Sequence, residues 1–365
     1  MSTLQIGLAV SGGLVLVGIV AHSAWSSRRN LPKRATPPAQ PSPDSDAKEP
    51  SGSLLAEAAD AASPDTSVER REPSFDTDAS LASLTRMTAP EKRPGLDVLI
   101  DAVAPVTVDS PVSGDAALAA MPATRRVGSK PFAIEGLSAA NGEWEFPQAG
   151  QRYSAFQCGV QLANRTGALN QIEFSEFVIK AQAFADAIGG EAEFPEMQDE
   201  VARARELDQF ASGHDAQLSF TLRAVNTAWS PGYVQQSAGR LGFVAGSIPG
   251  RLVLPASKAG GAPILGLAFD TQAAMAEDPE QTALRELTLS LDVPQVLRSE
   301  KPFARMCEVA MGLAGSMDAV IIDDNGNLIR PEAMEAIHAD LETLHDTLDG
   351  RELSAGSALG RRLFS

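Results

Sequence analysis

The sequence predicts an α+β fold: an antiparallel sheet with helices packed on one face, built twice, behind one N-terminal transmembrane helix and a disordered linker. Three observations carry this reading. Leu287, Leu289, Leu291 and Val293 alternate with Glu286, Thr288, Ser290 and Asp292, the period of a half-buried strand. Phe303, Met306, Ala310, Leu313 and Met317 then recur at 3-4-3-4 spacing, the stripe of a helix laid on that strand. The same pair of patterns stands 129 residues earlier without a gap, with Cys158, Val160 and Leu162 before Phe174, Phe177, Ala181, Phe184 and Ile188.

Taken in order, residues 1–3 form a short end, and 4–25 are apolar apart from Gln5, Ser11, His22 and Ser23. As a helix this stretch spans about 33 Å, enough for a hydrocarbon core of about 30 Å. No Lys or Arg precedes it, while Arg28, Arg29, Lys33 and Arg34 follow at once. Basic flanks stay on the cytoplasmic side, so the expected topology is single-pass, with the N-terminus outside and the body in the cytoplasm. The alternative is a secretory signal cleaved near Ala21-His22-Ser23, which lacks the basic residue such signals carry ahead of the apolar run.

Residues 26–94 are rich in Pro, Ala, Ser, Asp and Glu and show no sustained period, which predicts a disordered tether. As a coil it would reach about 45 Å. The first module is expected over 95–212. Its strands are expected at 96–100 with 106–108, and at 132–134, with a short helix over 113–120. A further helix begins near Pro195 and carries Val201, Ala204 and Leu207. The second module is expected over 213–352. It has alternation over 217–224, a helix opened by Ser230-Pro231, and strands at 251–254 and 264–270. Asp324-Asn325-Gly326 forms a hairpin turn between 319–323 and 327–330. Pro331 opens a last helix carrying Met334, Ile337, Leu341, Leu344 and Leu348, and 353–365 are expected to be a flexible tail.

The chain has 365 residues and a net charge of −17, which opposes binding to nucleic acid, since no basic stripe replaces phosphate counterions. Cys158 and Cys307 lie far apart in apolar stretches and read as packing residues. Asp323 opens a run like a calcium loop, but the twelfth position is Met334 and the required glycine position is Leu328. His338 and His345 read as solvated, and His214 as part of a connector. No metal, cofactor, small-molecule substrate or catalytic constellation is indicated, so the chain reads as a binding protein rather than an enzyme.

Parity leaves one sheet face of the second module uncovered by helices: Ser219, Thr221 and Arg223; Val253; Ile264, Gly266 and Ala268; Thr288, Ser290 and Asp292. On the anchor, the acidic tether, the Leu287–Pro294 run with its valine-proline exit, Phe303-x-x-Met306, the 319–324 strand and the Pro331 helix, the chain resembles the ZipA family of bacterial division proteins. The resemblance covers 213–352, and the first module looks like a divergent second copy. It implies a protein at the division site of the bacterial inner membrane whose partner is FtsZ. The FtsZ C-terminal peptide would lie on the open face, on Thr221, Val253, Ile264, Gly266, Ala268, Thr288 and Ser290. This sequence departs from the family at Ser290, where an aromatic is expected, and at Asp270, where a large apolar residue is. The rival readings are an anchored scaffold for another cytoplasmic partner and an exported hydrolase or ligand-binding protein.

Overall fold

The computed structural model describes residues 32–35, 95–258, 260–278 and 281–365. The apolar segment 4–25 and most of the linker lie outside them. Among the described residues no helix is long and apolar enough to cross a membrane.

The first sheet begins with β1 (Asp101–Ser113), which runs into α1 (Gly114–Ala119) where the Ser113 hydroxyl accepts from the Ala116 amide. β2 (Arg126–Val127), β3 (Lys130–Ser138), β4 (Trp144–Glu145) and the central β5 (Arg152–Gln161) follow. A small ribbon of β6 (Ala163–Asn164) and β7 (Gly167–Ala168) leads to α2 (Gln171–Ile188), then β8 (Gly190–Ala192) and α3 (Met197–His214). The sheet order is β2-β3-β5-β1-β8, with β4 beside β3. α2 starts on a capping box, Asn170 accepting from Glu173 and Glu173 from Asn170, and ends where Gly189 takes the left-handed conformation. Its stripe Phe174, Phe177, Ala181 and Phe184 is buried.

The second sheet contains β9 (Gln217–Ala224), β10 (Val244–Ala245), β11 (Arg251–Leu254), β12 (Leu265–Ala268), β13 (Glu286–Asp292) and β14 (Ala319–Ile322), in the order β10-β11-β12-β13-β9-β14. Its helices are α4 (Pro231–Gly239), α5 (Thr271–Ala274), α6 (Pro302–Met317) and α7 (Pro331–Asp349). Phe303, Met306, Ala310, Leu313 and Met317 of α6 are buried against Phe220, Leu222, Leu287, Leu289 and Leu291 of the sheet. Burying each such side chain stabilises by roughly 1.5–3 kcal/mol. If β1 is set beside β9, β2 beside β11, β3 beside β12, β5 beside β13 and β8 beside β14, the two sheets have the same strand order. In both, the helix after the central strand lies on the sheet. The turn after β14 is Asp324-Asn325-Gly326: the Gly326 amide donates to the Asp323 carbonyl, and Gly326 itself is left-handed.

Three expectations fail, one on a local turn and two on long-range packing. Residues 96–100 are not a strand; the Asp101 carboxylate accepts the Asp97 amide at 2.8 Å and winds the segment into a turn before β1. The C-terminal residues are not a flexible tail. Ser357 caps α8 (Ala358–Leu363), and Leu353, Ala355, Leu363 and Phe364 are buried in the core of the first module. Gly356 makes that return possible, because a β-carbon there would lie 2.4 Å from the Leu297 amide nitrogen. The modules also share α7, whose Leu341 belongs to the second core and Leu348 to the first. His345, one turn before Leu348, is therefore buried rather than solvated, and neither ring nitrogen has a hydrogen-bond partner among the described residues.

Two outcomes follow. Phe364→Ala should cost about 3–5 kcal/mol in denaturant unfolding, the range for truncating a core aromatic, whereas a free tail would give no change. Burial holds the His345 imidazole below its ordinary value of 6.5, against the pull of Glu342, Asp349 and Asp346. The unfolded state then binds the proton first, so stability is full above about pH 6.5 and declines as pH falls, by at most about 1.4 kcal/mol per unit. His345→Leu should raise the melting temperature at pH 7.5 and remove part of the loss between pH 7 and 5. An unchanged pH slope would contradict this assignment.

Candidate protein-binding face

Strand pairing places the candidate residues in two adjacent rows on the face of the second sheet opposite α6. One row runs Val253, Gly266, Ser290, Ser219 across four strands. The next runs Arg251, Ala268, Thr288, Thr221, Ile322 across five. At about 4.8 Å per strand the shorter row spans roughly 14 Å, the width of a few residues of extended peptide. Six of the seven residues expected from parity are thus neighbours: Thr221, Val253, Gly266, Ala268, Thr288 and Ser290. Thr288 and Ser290 are exposed, and the other four are half-buried.

Ile264 does not join them. It precedes the first residue of β12, so the strand's alternation does not reach it, and it is buried in the helix-side core. Parity also missed three residues. Val244 is directly opposite Val253, and Val320 and Ile322 pair with Arg223 and Thr221. The face is therefore a floor of small side chains between two valine-bearing ends, and Ile322 beside the second is buried. Alternation within 319–322 held the signal for Val320 and Ile322. Val244 sits in a two-residue strand that no period reveals.

The floor is neutral and shallow. The Ser290 hydroxyl donates to the Gly266 carbonyl at 3.3 Å, and a β-carbon at Gly266 would come within 2.8 Å of that hydroxyl oxygen. A backbone can approach such a glycine closely. Charge lies at the margins, where Arg223 pairs with Glu286 at 2.7 Å in solvent and Ser219 donates to Asp324 at 2.9 Å. Asp270, where the family pattern expects a large apolar side chain, caps α5 by accepting the Gln272 amide. Asp292, assigned to the open face by parity, instead takes the guanidinium of Arg165 jointly with Asp215, at 2.7 and 2.6 Å.

The corresponding face of the first sheet is covered by the chain itself over Gly159 and Gln161, while Pro105, Thr107 and Ala133 on the same face are exposed. Leu96 sits on Gly159, so that a β-carbon added there would lie 2.4 Å from the leucine methyl. The Leu96 amide donates to Glu135 at 3.1 Å, and Gln157 donates to the same carboxylate at 2.8 Å. From the other end of the chain, Arg362 donates to the Gly95 carbonyl at 3.0 Å and pairs with buried Asp101 at 2.5 Å. Gln161 in turn donates to the Arg362 carbonyl at 2.8 Å. Gly159 and Gln161 are thus covered and Gln157 is half-buried, where Thr288 and Ser290 are open.

Other chemistry-bearing groups are committed to structure. Burial pushes the Cys158 thiol up to about 12, far from a reactive thiolate. The Lys130 ammonium is buried and donates to Asn164, Thr166 and the Gly167 carbonyl. A cleft of about 240 Å³ beside that loop is lined by Asn164, Arg165, Asp208, Asp215 and Phe364, away from the open face. Among the described residues no group of three His, Cys, Asp or Glu side chains could hold a metal.

Residues 272–340 match the family described as ZipA, C-terminal FtsZ-binding domain. The matched span runs from α5 into α7 and includes Thr288 and Ser290, whereas β9, β11, β12 and the whole first module lie outside it. This bears out the resemblance of the second module to the ZipA family, and the matched domain is one of protein interaction, not an enzyme family. Among curated proteins none matches the chain.

Gly159 and Leu96 should be strongly coupled. Gly159→Ala displaces the leucine, so Leu96→Ala should destabilise the wild type more than it does the Gly159→Ala variant. The double-mutant coupling is expected at about 0.5–3 kcal/mol. Additive effects would mean that Leu96 does not rest on the first sheet in solution.

Proposed function

We propose that this chain is a cell division protein that binds the C-terminal peptide of FtsZ on the open face of its second sheet and holds FtsZ filaments at the cytoplasmic membrane. The observation that carries the reading is the pair of cross-strand rows through Gly266–Ser290 and Ala268–Thr288, uncovered in the same module that matches the FtsZ-binding family. Their small side chains let a peptide backbone lie close to the sheet. Val244 and Val253 at one end, and half-buried Val320 at the other, offer apolar seats for its side chains.

The mechanism is tethering without catalysis. Residues 4–25 anchor the chain in the inner membrane with its N-terminus outside, and the basic residues 28–34 mark the cytoplasmic side. Confinement near the membrane raises the effective concentration of a weakly held filament tail. Leu96 occupies the position on the first sheet that matches Thr288, which supports one site per chain, so filament stabilisation arises from many anchored copies on one filament, and crosslinking would need a second copy of the chain.

The test is titration of residues 32–365 with a fluorescent FtsZ C-terminal peptide. Saturable binding is expected near micromolar, about −8 kcal/mol, with one peptide per chain. Thr288→Trp and Ala268→Trp, which fill the floor without touching the helix-side core, should each weaken it at least about tenfold, or 1.4 kcal/mol. Two equivalent sites, or binding indifferent to both substitutions, would place the contact elsewhere. Absence of saturable binding would remove FtsZ as the partner.

A further inference from the structure

A four-residue segment far from the body in sequence is docked on the second module. The Lys33 amide donates to the Ala228 carbonyl at 2.7 Å and the Ser230 amide donates to the Lys33 carbonyl at 2.9 Å, a parallel bridge to Trp229. Trp229 exchanges both of its own backbone hydrogen bonds with Leu284, each at 2.8 Å. Lys33, Trp229 and Leu284 therefore form one short ladder of three segments. Pro32 is buried. The Lys33 ammonium donates at 3.2 Å to the Met317 carbonyl, which ends α6 and also accepts the Trp229 indole N–H at 2.8 Å. A cation at that position meets the negative end of the helix dipole and shares its last carbonyl with the Trp229 indole.

We propose that residues 32–35 are a docking strap, which fixes the second module to the chain at the end of the basic collar, so that the chain on both sides of residues 36–94 is held by the folded body. Both ends of that stretch then belong to the folded body, at Ala35 and Gly95. With residues 4–25 read as the anchor, the route from membrane to body shortens from residues 26–94 to residues 26–31. Six extended residues span at most about 20 Å. The longer stretch as a coil reaches about 45 Å on average and more than 200 Å when fully drawn out. The strap contacts Ala228, Trp229, Ser230 and Met317, none of which lies in the rows of the open face, so the protein-binding surface stays free while its distance from the membrane is set. An undocked strap would restore the long reach, which makes the contact a means of changing how far a bound filament sits from the bilayer.

The test is amide hydrogen exchange on the full chain in lipid nanodiscs. The Lys33 and Ser230 amides should exchange at least about 100-fold more slowly than free-chain amides. Lys33→Pro removes the donated hydrogen and should lower Ser230 protection at least about tenfold while leaving the Leu289 amide in β13 unchanged. Lys33→Met keeps the ladder and loses only the helix contact, so its effect should be smaller. Free-chain exchange at Lys33, or Ser230 protection indifferent to Lys33→Pro, would overturn the strap. Flotation of the full chain with vesicles reads the anchor separately. Failure to float with Lys33 still protected would refute the membrane reading and leave the strap in place.

Discussion

Much of the arrangement depends on one buried ion pair between residues at opposite ends of the folded body, Asp101 and Arg362. Asp101 is fully buried, and burial pushes its carboxyl above the usual range against the pull of the arginine. A buried carboxylate is tolerable only with partners of this kind, and removing one partner of such a pair typically costs about 3–5 kcal/mol. The pair fixes four things at once. It orients the start of β1, holds Gly95 through the other guanidinium nitrogen, presents the Arg362 carbonyl to Gln161, and brings Leu363 and Phe364 into the first core. The first sheet is covered over Gly159 and Gln161 as a result.

The cover over Gly159 is what sets the two faces apart. Both sheets have the same strand order, and each presents alternate side chains away from its helices. In the first, the position matching Thr288 is Gly159, already occupied by Leu96. In the second, the corresponding rows carry Thr, Ser, Ala and Gly with nothing over them among the described residues. The difference is therefore not in the strands but in what the chain's ends do. The shared helix α7 and the returning C-terminal segment also mean that the first module is not an independent unit: Leu348, Leu353, Leu363 and Phe364, all from beyond residue 340, fill its core.

Local patterns in the sequence were enough for the helices and the best strand. The 3-4-3-4 stripes of α2 and α6 are the residues buried, and strict alternation in β13 separates Leu287, Leu289 and Leu291 from Thr288 and Ser290. Parity then carried six of the seven face residues. It broke down at Ile264, where the strand had not yet begun, and it had no purchase on β10, too short to show a period. The remaining features were illegible because they pair residues distant in sequence. Nothing near Leu96 indicates that it will lie on Gly159, and nothing near Arg362 indicates Asp101. His345 read as polar surface because its neighbours on α7 are acidic, yet it lies between Leu341 and Leu348, which enter different cores, and is buried.

The account rests on a peptide lying across the Gly266–Ser290 and Ala268–Thr288 rows, and the most direct measurement is a backbone amide shift map of residues 32–365 on addition of the FtsZ C-terminal peptide. Shifts concentrated in β9, β11, β12 and β13, with Gln157, Gly159 and Gln161 unmoved, are the expected result. Shifts centred on the first sheet, or on the cleft around Arg165 and Asp208, would contradict it.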